Sequence, residues 1–478
     1  MWRPASLLRS TIVVACALLL AGCSGAAPGL VEGRATSMLF NPQRVGGLPV
    51  EQGPSGLRPD APAPEGTVGN SDGGPIDELA LLAVNDIEDF WARNYERYLP
   101  GTFDPVPTLT SYDSTDPNNS TVCGEDLYDI PNAAFCRTRN EMVWDRAVFL
   151  PVGQTYFGDM GVVGVIAHEY GHALSLMAGL VNADTETIVS EQQADCFAGV
   201  YLRAVAAGES QRFTLSTGDG LNQVLAGAIY IRDRPSIGLI GDEHGSALDR
   251  VSAFQMGFSG GADQCAAIDK ADIEKRRGDL PRFFVFDIFK SQVLDSPIDE
   301  QLLSSLMDVL AEIYQPSQPP TLTLNPSECP SLAPGLPTAY CPETNAIYVD
   351  LEALQQAGTP KTEEEDEVLL QGDNTALSMV TSRYALAVQH ERGLSLDTPF
   401  AALRAACLTG MAQARMTDPD GAVVLSPGDP DEAVSGLLTN GVVASDVNGR
   451  PAPAGFTRIL AYRVGLSSDI EQCIQRFE

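Results

Sequence analysis

The first hydrophobic feature of the chain is Thr11 to Leu20, an apolar run preceded by Arg3 and Arg9. It is too short to cross a bilayer as a helix, which takes about 20 apolar residues, and with basic residues ahead of it the pattern predicts a secretory signal over 1–22. From Ser24 to Gly74 neither a helical nor a strand period is present, and Gly, Pro, Ala and Ser dominate. That composition predicts a flexible tether over 23–74. Helical periodicity begins at Pro75-Ile76-Asp77-Glu78 and again at Pro297-Ile298-Asp299-Glu300, each opening an amphipathic stretch. Val162 to Leu176 predicts a buried helix and Glu186 to Ala207 a second one. Glu141 to Leu150 reads as an edge strand ahead of the buried helix, Ala346 to Leu351 is strand-like, and Pro281 to Leu294 reads as a helical connector. No later segment is apolar enough to span a membrane.

Composition narrows the setting. The 478 residues carry 30 Lys+Arg against 63 Asp+Glu, a net charge of −33. Nucleic acid and anionic membrane surfaces are poor partners for such a chain, because binding them depends on clustered cations that release counterions. Lys270, Lys275, Arg276 and Arg277 do cluster, but Asp269, Asp272 and Glu274 sit among them. Leu20-Ala21-Gly22-Cys23 resembles the bacterial lipobox, which implies cleavage before Cys23, lipidation of its thiol and a lipid-anchored, extracytoplasmic protein. The acidic run Glu363 to Glu367 reads as a solvated inserted loop.

The remaining mature cysteines fit an oxidising compartment and suggest a repeat. Cys123, Cys136, Cys196 and Cys265 are separated by 13, 60 and 69 residues, and Cys329, Cys341, Cys407 and Cys473 by 12, 66 and 66. Pro107-Thr108-Leu109-Thr110 recurs as Pro320-Thr321-Leu322-Thr323, and Tyr170, Ala173 and Gly179 match Tyr384, Ala387 and Gly393 at one offset. Arg250, Gly257 and Cys265 likewise match Arg458, Gly465 and Cys473. Order is preserved throughout, so the chain is expected to hold two diverged copies, 75–277 and 297–478, joined by 278–296. Eight cysteines allow 105 pairings. Duplication favours bonds within each copy: Cys123 with Cys136, Cys196 with Cys265, Cys329 with Cys341 and Cys407 with Cys473.

Candidate chemistry lies in the first copy. In Ala167-His168-Glu169-Tyr170-Gly171-His172 the two histidines are four residues apart, so a helix presents both imidazoles to one Zn²⁺ with Glu169 beside them. A third histidine at the spacing of the extended motif is missing, since those positions are Ser175 and Ala178. The second predicted helix instead carries Glu191 and Asp195 one turn apart. This resembles the gluzincin arrangement, in which the glutamate is the third ligand and the aspartate fixes a ligand histidine's tautomer. His244 has two readings that spacing does not separate: a donor to the oxyanion of a peptide-hydrolysis transition state, or a loop histidine bonded to backbone.

Three ordered motifs carry a wider resemblance. His168-Glu169-Tyr170-Gly171-His172, the run Gln193-Ala194-Asp195-Cys196-Phe197-Ala198-Gly199, and His244-Gly245-Ser246 with Arg250 and Phe254-Gln255-Met256-Gly257 resemble the neutral zinc metallopeptidase family of bacteria. The resemblance covers about Asp77 to Cys265 and implies a gluzincin-like α+β fold, one zinc ion and peptide-bond hydrolysis. By residue it implies His168, His172 and Glu191 as ligands and Glu169 as general base and acid. The family's Phe-Tyr-Cys-Pro stretch departs to Ala134-Phe135-Cys136-Arg137, whereas the second copy keeps Ala339-Tyr340-Cys341-Pro342. In that copy the aligned site positions are Ser382, Arg383, Leu386, Ala402 and Ala406, so it is expected to fold without zinc, and its His390 has no ligand partner. The expected protein is a membrane-anchored zinc peptidase acting on a protein or peptide substrate, its second copy buttressing the first, capping its cleft or recruiting an envelope protein. The competing expectation is a non-catalytic envelope binding or assembly lipoprotein with a structural or vestigial zinc site.

Overall fold

A computed structural model of the chain describes residues 40–234, 244–282, 295–329 and 335–478, together with the backbone of a two-residue hairpin, β1 (Leu30–Val31) and β2 (Arg34–Ala35). The signal over 1–22, Cys23 and residues 283–294 of the expected connector lie outside the described residues. That hairpin belongs to a separate unit, 1–37; residues 38–478 form the other. The larger unit is mixed α+β.

Its first part runs through β3 (Arg44–Val45), β4 (Leu48–Pro49), β5 (Gly56–Leu57), α1 (Pro75–Tyr98), β6 (Thr108–Tyr112), β7 (Thr121–Val122), β8 (Glu125–Asp126), β9 (Ala133–Cys136), β10 (Glu141–Asp145), α2 (Phe149–Met177), α3 (Thr187–Ala206), β11 (Phe213–Thr214), α4 (Asp219–Tyr230), α5 (Ala247–Gly260), α6 (Ala262–Ala266) and α7 (Lys270–Arg277). α1 starts on a proline followed by Asp77 and Glu78, which suit a helix N-terminus. Its buried Asp77 accepts hydrogen bonds from Trp144 Nε1 (2.8 Å) and Ser111 Oγ (3.1 Å), tying helix to sheet. The sheet has the order β6-β10-β9, with β10 parallel to β6 and antiparallel to β9. This corrects the edge-strand reading of Glu141 to Leu150. β10 is central, every one of its residues is buried, and it ends at Asp145. The Asp145 carboxylate ends it by accepting the backbone N–H groups of Ser114, Ala147, Val148 and Phe149, so the chain turns directly into α2.

The second part contains α8 (Glu300–Tyr314), β12 (Thr321–Thr323), β13 (Thr338–Cys341), β14 (Ala346–Val349), α9 (Leu351–Ala357), α10 (Glu363–Asp366), α11 (Asp373–Glu391), α12 (Pro399–Gln413), α13 (Asp429–Thr439), α14 (Gly455–Leu466) and α15 (Ile470–Arg476). Its sheet has the order β12-β14-β13, again with one parallel and one antiparallel pairing. All four cysteine pairs are bonded as the repeat led us to expect. The parts meet in one continuous apolar core. Gln255 Nε2 donates to Phe456 O (2.8 Å), Arg463 Nη1 donates to Ser252 O (2.9 Å), and Phe258 and Phe456 pack with ring centroids 5.2 Å apart.

Two expectations need correction here. From Phe40 onward the stretch expected to be a tether is laid along the body: Val45 is fully buried, β5 pairs with β11, Ser55 Oγ donates to Ser216 Oγ, and Gly69 bridges to Thr110. Backbone groups that find fixed partners can hold a Gly/Pro-rich segment without any hydrophobic period. Likewise, Glu363 of the acidic run is not solvated. Arg232 Nη1 donates to its Oε1 at 2.7 Å and both side chains are buried.

Candidate metal centre

The buried face of α2 carries His168, Glu169 and His172, and the facing surface of α3 carries Glu191 and Asp195. α2 bends at Gly158, whose φ of 67° is open to glycine, and its C-terminal portion then lies against α3. Gly171 sets the closeness of that approach: a Cβ there would sit 2.7 Å from both Cα and O of Ala194. The tight contact brings His168 Nε2 to 3.2 Å from Glu191 Oε2 and His172 Nε2 to 3.4 Å from Glu191 Oε1. All three groups converge as a possible metal-binding triad, and His168, His172, Glu191 and Glu169 are 6%, 9%, 8% and 9% exposed.

The outer nitrogens of both imidazoles are engaged. His168 Nδ1 lies 2.8 Å from Asp195 Oδ1, and His172 Nδ1 lies 3.1 Å from Ser190 Oγ. In the neutral form, an N–H on each Nδ1 directed at those acceptors turns each Nε2 lone pair towards Glu191, the form in which an imidazole ligates a metal. Asp195 Oδ1 also accepts from Arg250 Nη2 at 2.9 Å, so a buried cation steadies the carboxylate that steadies the histidine. Sequence reasoning missed Ser190 and gave Arg250 no role, although both adjoin or belong to the quoted motifs. It also missed Arg137, which donates to Ser190 Oγ.

Electrostatics follow from burial and pairing. Burial depresses the His168 imidazolium, but the Asp195 carboxylate outweighs it and the pKa is pushed up to about 10. For Glu191, burial works upward and the two histidines pull the carboxyl well below its usual range. Glu169 goes the other way: burial raises it, opposed by His168 and His172 and by the backbone N–H of Phe135 in β9. A hydrogen bond to Asp233 lifts His244.

These groups open into a cleft of about 430 Å³ lined by Ala133 to Phe135, Arg137, His168, Glu169, His172, Glu191, His244 and Arg250 among others. His244 is therefore at the cleft, with its side chain 49% exposed and its Nδ1 3.1 Å from Asp233 Oδ1. Every lining residue lies between Asn132 and Arg250; among the described residues, none of the second part reaches the cleft. A mostly apolar cavity of about 280 Å³ adjoins it and shares Phe149, Val165, His168 and Arg250 as wall. In the second part, Arg383 is fully buried and donates to Val442 O (2.7 Å) and Ser445 Oγ (2.9 Å), while His390 Nδ1 lies 2.7 Å from the Tyr340 hydroxyl.

Compared with known proteins, the chain matches no family model, no curated protein and no solved structure.

Proposed function

We propose that the protein is a zinc metallopeptidase of gluzincin type, lipid-anchored through Cys23 outside the cytoplasm, whose second part is a diverged, metal-free copy of the first. The observation that carries the reading is the approach of both imidazole Nε2 atoms to the Glu191 carboxylate, His168 to Oε2 and His172 to Oε1. Ligands about 2.05 Å from a tetrahedral zinc ion are about 3.3 Å apart, and the Nε2-to-carboxylate distances are 3.2 and 3.4 Å. Glu191 Oε2 is buried and, apart from the 3.2 Å approach of His168 Nε2, has no hydrogen-bond partner, as expected of an atom placed to share an ion with that imidazole. Two imidazoles and one carboxylate are a donor set that suits zinc.

Zinc, when bound, supplies Lewis-acid polarisation of a carbonyl and acidifies water enough for attack near neutral pH. His168, His172 and Glu191 would hold it. Glu169, raised by burial yet flanked by the histidines, takes the proton of the attacking water and returns it to the leaving amine. His244, lifted by Asp233, offers an N–H to the developing oxyanion from the cleft wall. The adjoining apolar cavity suits an apolar side chain of a peptide substrate. Matching strand order and cysteine pairing support the duplication, and the lining of the cleft favours a buttressing role for the second copy over a capping one.

Glu169→Gln tests the reading. The variant should retain one zinc per chain and lose cleavage of an unstructured protein substrate by at least about 100-fold. If wild type holds no zinc, or the variant cleaves as wild type does, the peptidase reading fails and the envelope-binding alternative stands.

A further inference from the structure

A second cluster of acidic groups lies away from the cleft, where α11 begins. Asp295 comes from the segment before α8, Asp373 is the first residue of α11, and Glu432 comes from α13. One carboxylate oxygen from each lies within 4.8 Å of the others. Two oxygens each about 2.4 Å from a common calcium ion are at most about 4.8 Å apart.

Backbone N–H groups satisfy only part of these carboxylates. Ser296 donates to Asp373 Oδ2 (2.7 Å), Asp373 to Asp295 Oδ1 (3.2 Å) and Asn374 to Glu432 Oε2 (2.9 Å). Asp373 Oδ1 is left over. It is buried on a side chain only 5% exposed, and it has no hydrogen-bond partner. Gly372 adds an independent observation. Its φ of −172° is extended and open to any residue, yet a Cβ there would lie 2.1 Å from Glu432 Oε1 and 2.5 Å from Asp295 Oδ1. Oxygens of two carboxylates occupy the space that a side chain would fill. No ion pair joins any of the three to a described Lys, Arg or His. Among the described residues, the charges that act most strongly on them are one another's and that of Asp429, so burial and mutual repulsion raise both Asp373 and Glu432. Buried like charges gathered without a counter-charge are strongly unfavourable unless protons or a cation intervene.

We propose that Asp295, Asp373 and Glu432 form a calcium site that joins the start of α11 to α13. All-oxygen donors select a hard cation over zinc, and their irregular disposition suits calcium better than magnesium, which demands a near-octahedral shell. The site has a structural reach. Asp431, beside Glu432 on α13, accepts the backbone N–H of Leu248 at the start of α5, the helix whose Arg250 holds Asp195. Calcium would thus stiffen the buttress behind the metal centre without touching its ligands.

The test uses the full-length mature protein, zinc-loaded, with thermal unfolding followed at pH 7.5 and constant ionic strength while CaCl₂ is added. The expected result is a rise in Tm of roughly 3 °C or more at about 5 mM Ca²⁺, a smaller rise with Mg²⁺, and no calcium response in Asp373→Asn or Glu432→Gln. Should those variants fail to fold, the half-buried Asp295→Asn carries the same comparison. No calcium response in wild type overturns the proposal and leaves shared protons as the neutralising agent. A response that persists in the variants, or an equal one with Mg²⁺, overturns it as well. Because the readout is stability, the outcome is independent of whether the cleft hydrolyses peptides.

Discussion

Gly171→Ala perturbs the candidate centre while leaving every ligand in place. On helix propensity alone the change would favour α2 by about 1 kcal/mol. The added Cβ, however, would stand 2.7 Å from Cα and O of Ala194 and 3.1 Å from its carbonyl carbon, all backbone atoms that cannot rotate aside. Ordinary carbon contacts lie at about 3.5–4.0 Å, so α2 and α3 must part by about 1 Å. His172 follows Gly171 directly and Asp195 follows Ala194, so the displacement falls on the 3.4 Å His172–Glu191 and 2.8 Å His168–Asp195 spacings. Overpacking of this kind costs about 1–3 kcal/mol, which the propensity gain offsets in part. The metal-stripped protein should therefore melt only a few degrees lower, whereas zinc affinity should drop at least about tenfold, since ligand geometry must hold within about 0.5 Å.

Zinc affinity measured by competition with a chromophoric chelator, paired with thermal melts of the stripped protein, separates the two effects. Gly164→Ala on the same helix is the control. Its Cβ would meet Val224 Cγ1 at 3.6 Å, an ordinary contact, and should leave zinc affinity unchanged. If Gly171→Ala binds zinc within a factor of about two of wild type, or if the control loses as much, the close approach of the two helices does not set the ligand geometry.

Asp195→Asn removes the charge that holds both His168 Nδ1 and Arg250 Nη2; zinc affinity should fall about 10–100-fold by calorimetric titration, with Arg250 left as an uncompensated buried cation that lowers the melting temperature. The Asp431 carboxyl, raised by burial from the ordinary 3.8 to about 6 despite Arg232, contributes stability below pH 3.8 that is lost as pH rises through about 6. Asp431→Asn should therefore gain in Tm relative to wild type between pH 4 and pH 7, and a difference that stays flat across that window would refute the assignment.

The core of the candidate site was legible because its parts are local. The helical period puts His168 and His172 on one face, and Glu191 and Asp195 on another, from sequence alone. What those faces meet was not legible. Ser190, Arg137 and the N–H of Phe135 reach the centre only because α2, α3 and β9 converge, and no local pattern encodes that convergence. The same limit explains β10. Its run Glu141-Met142-Val143-Trp144-Asp145 shows a strand, but centrality depends on neighbours on both sides. Glu363 looked solvated because its partner, Arg232, lies 131 residues away. The segment from Phe40 to Gly74 looked free because it is held by scattered bonds to residues such as Ser216 and Thr217 rather than by a buried stripe.

On the proposed reading of two copies, the second separates what the fold needs from what chemistry needs. Gly199 and Gly257 permit close approach of α3 and α5, where a Cβ would fall 2.2 Å from Phe254 O and 1.8 Å from Cys196 O. Gly410 and Gly465 permit the same for α12 and α14, at 2.2 Å from Tyr462 O and 1.9 Å from Cys407 O. A disulfide ties α3 to α6, the short helix after α5, and another ties α12 to α15, the short helix after α14. At the position aligned with Glu169, however, stands Arg383. Its buried guanidinium, pulled down to about 10 by desolvation, is spent on backbone oxygens and Ser445. Packing of this kind survives without His168, Glu169, His172 or Glu191. A fold that one half of the chain holds without those residues gives the other half no structural reason to bury them, and the reason left is the chemistry of the cleft into which they open.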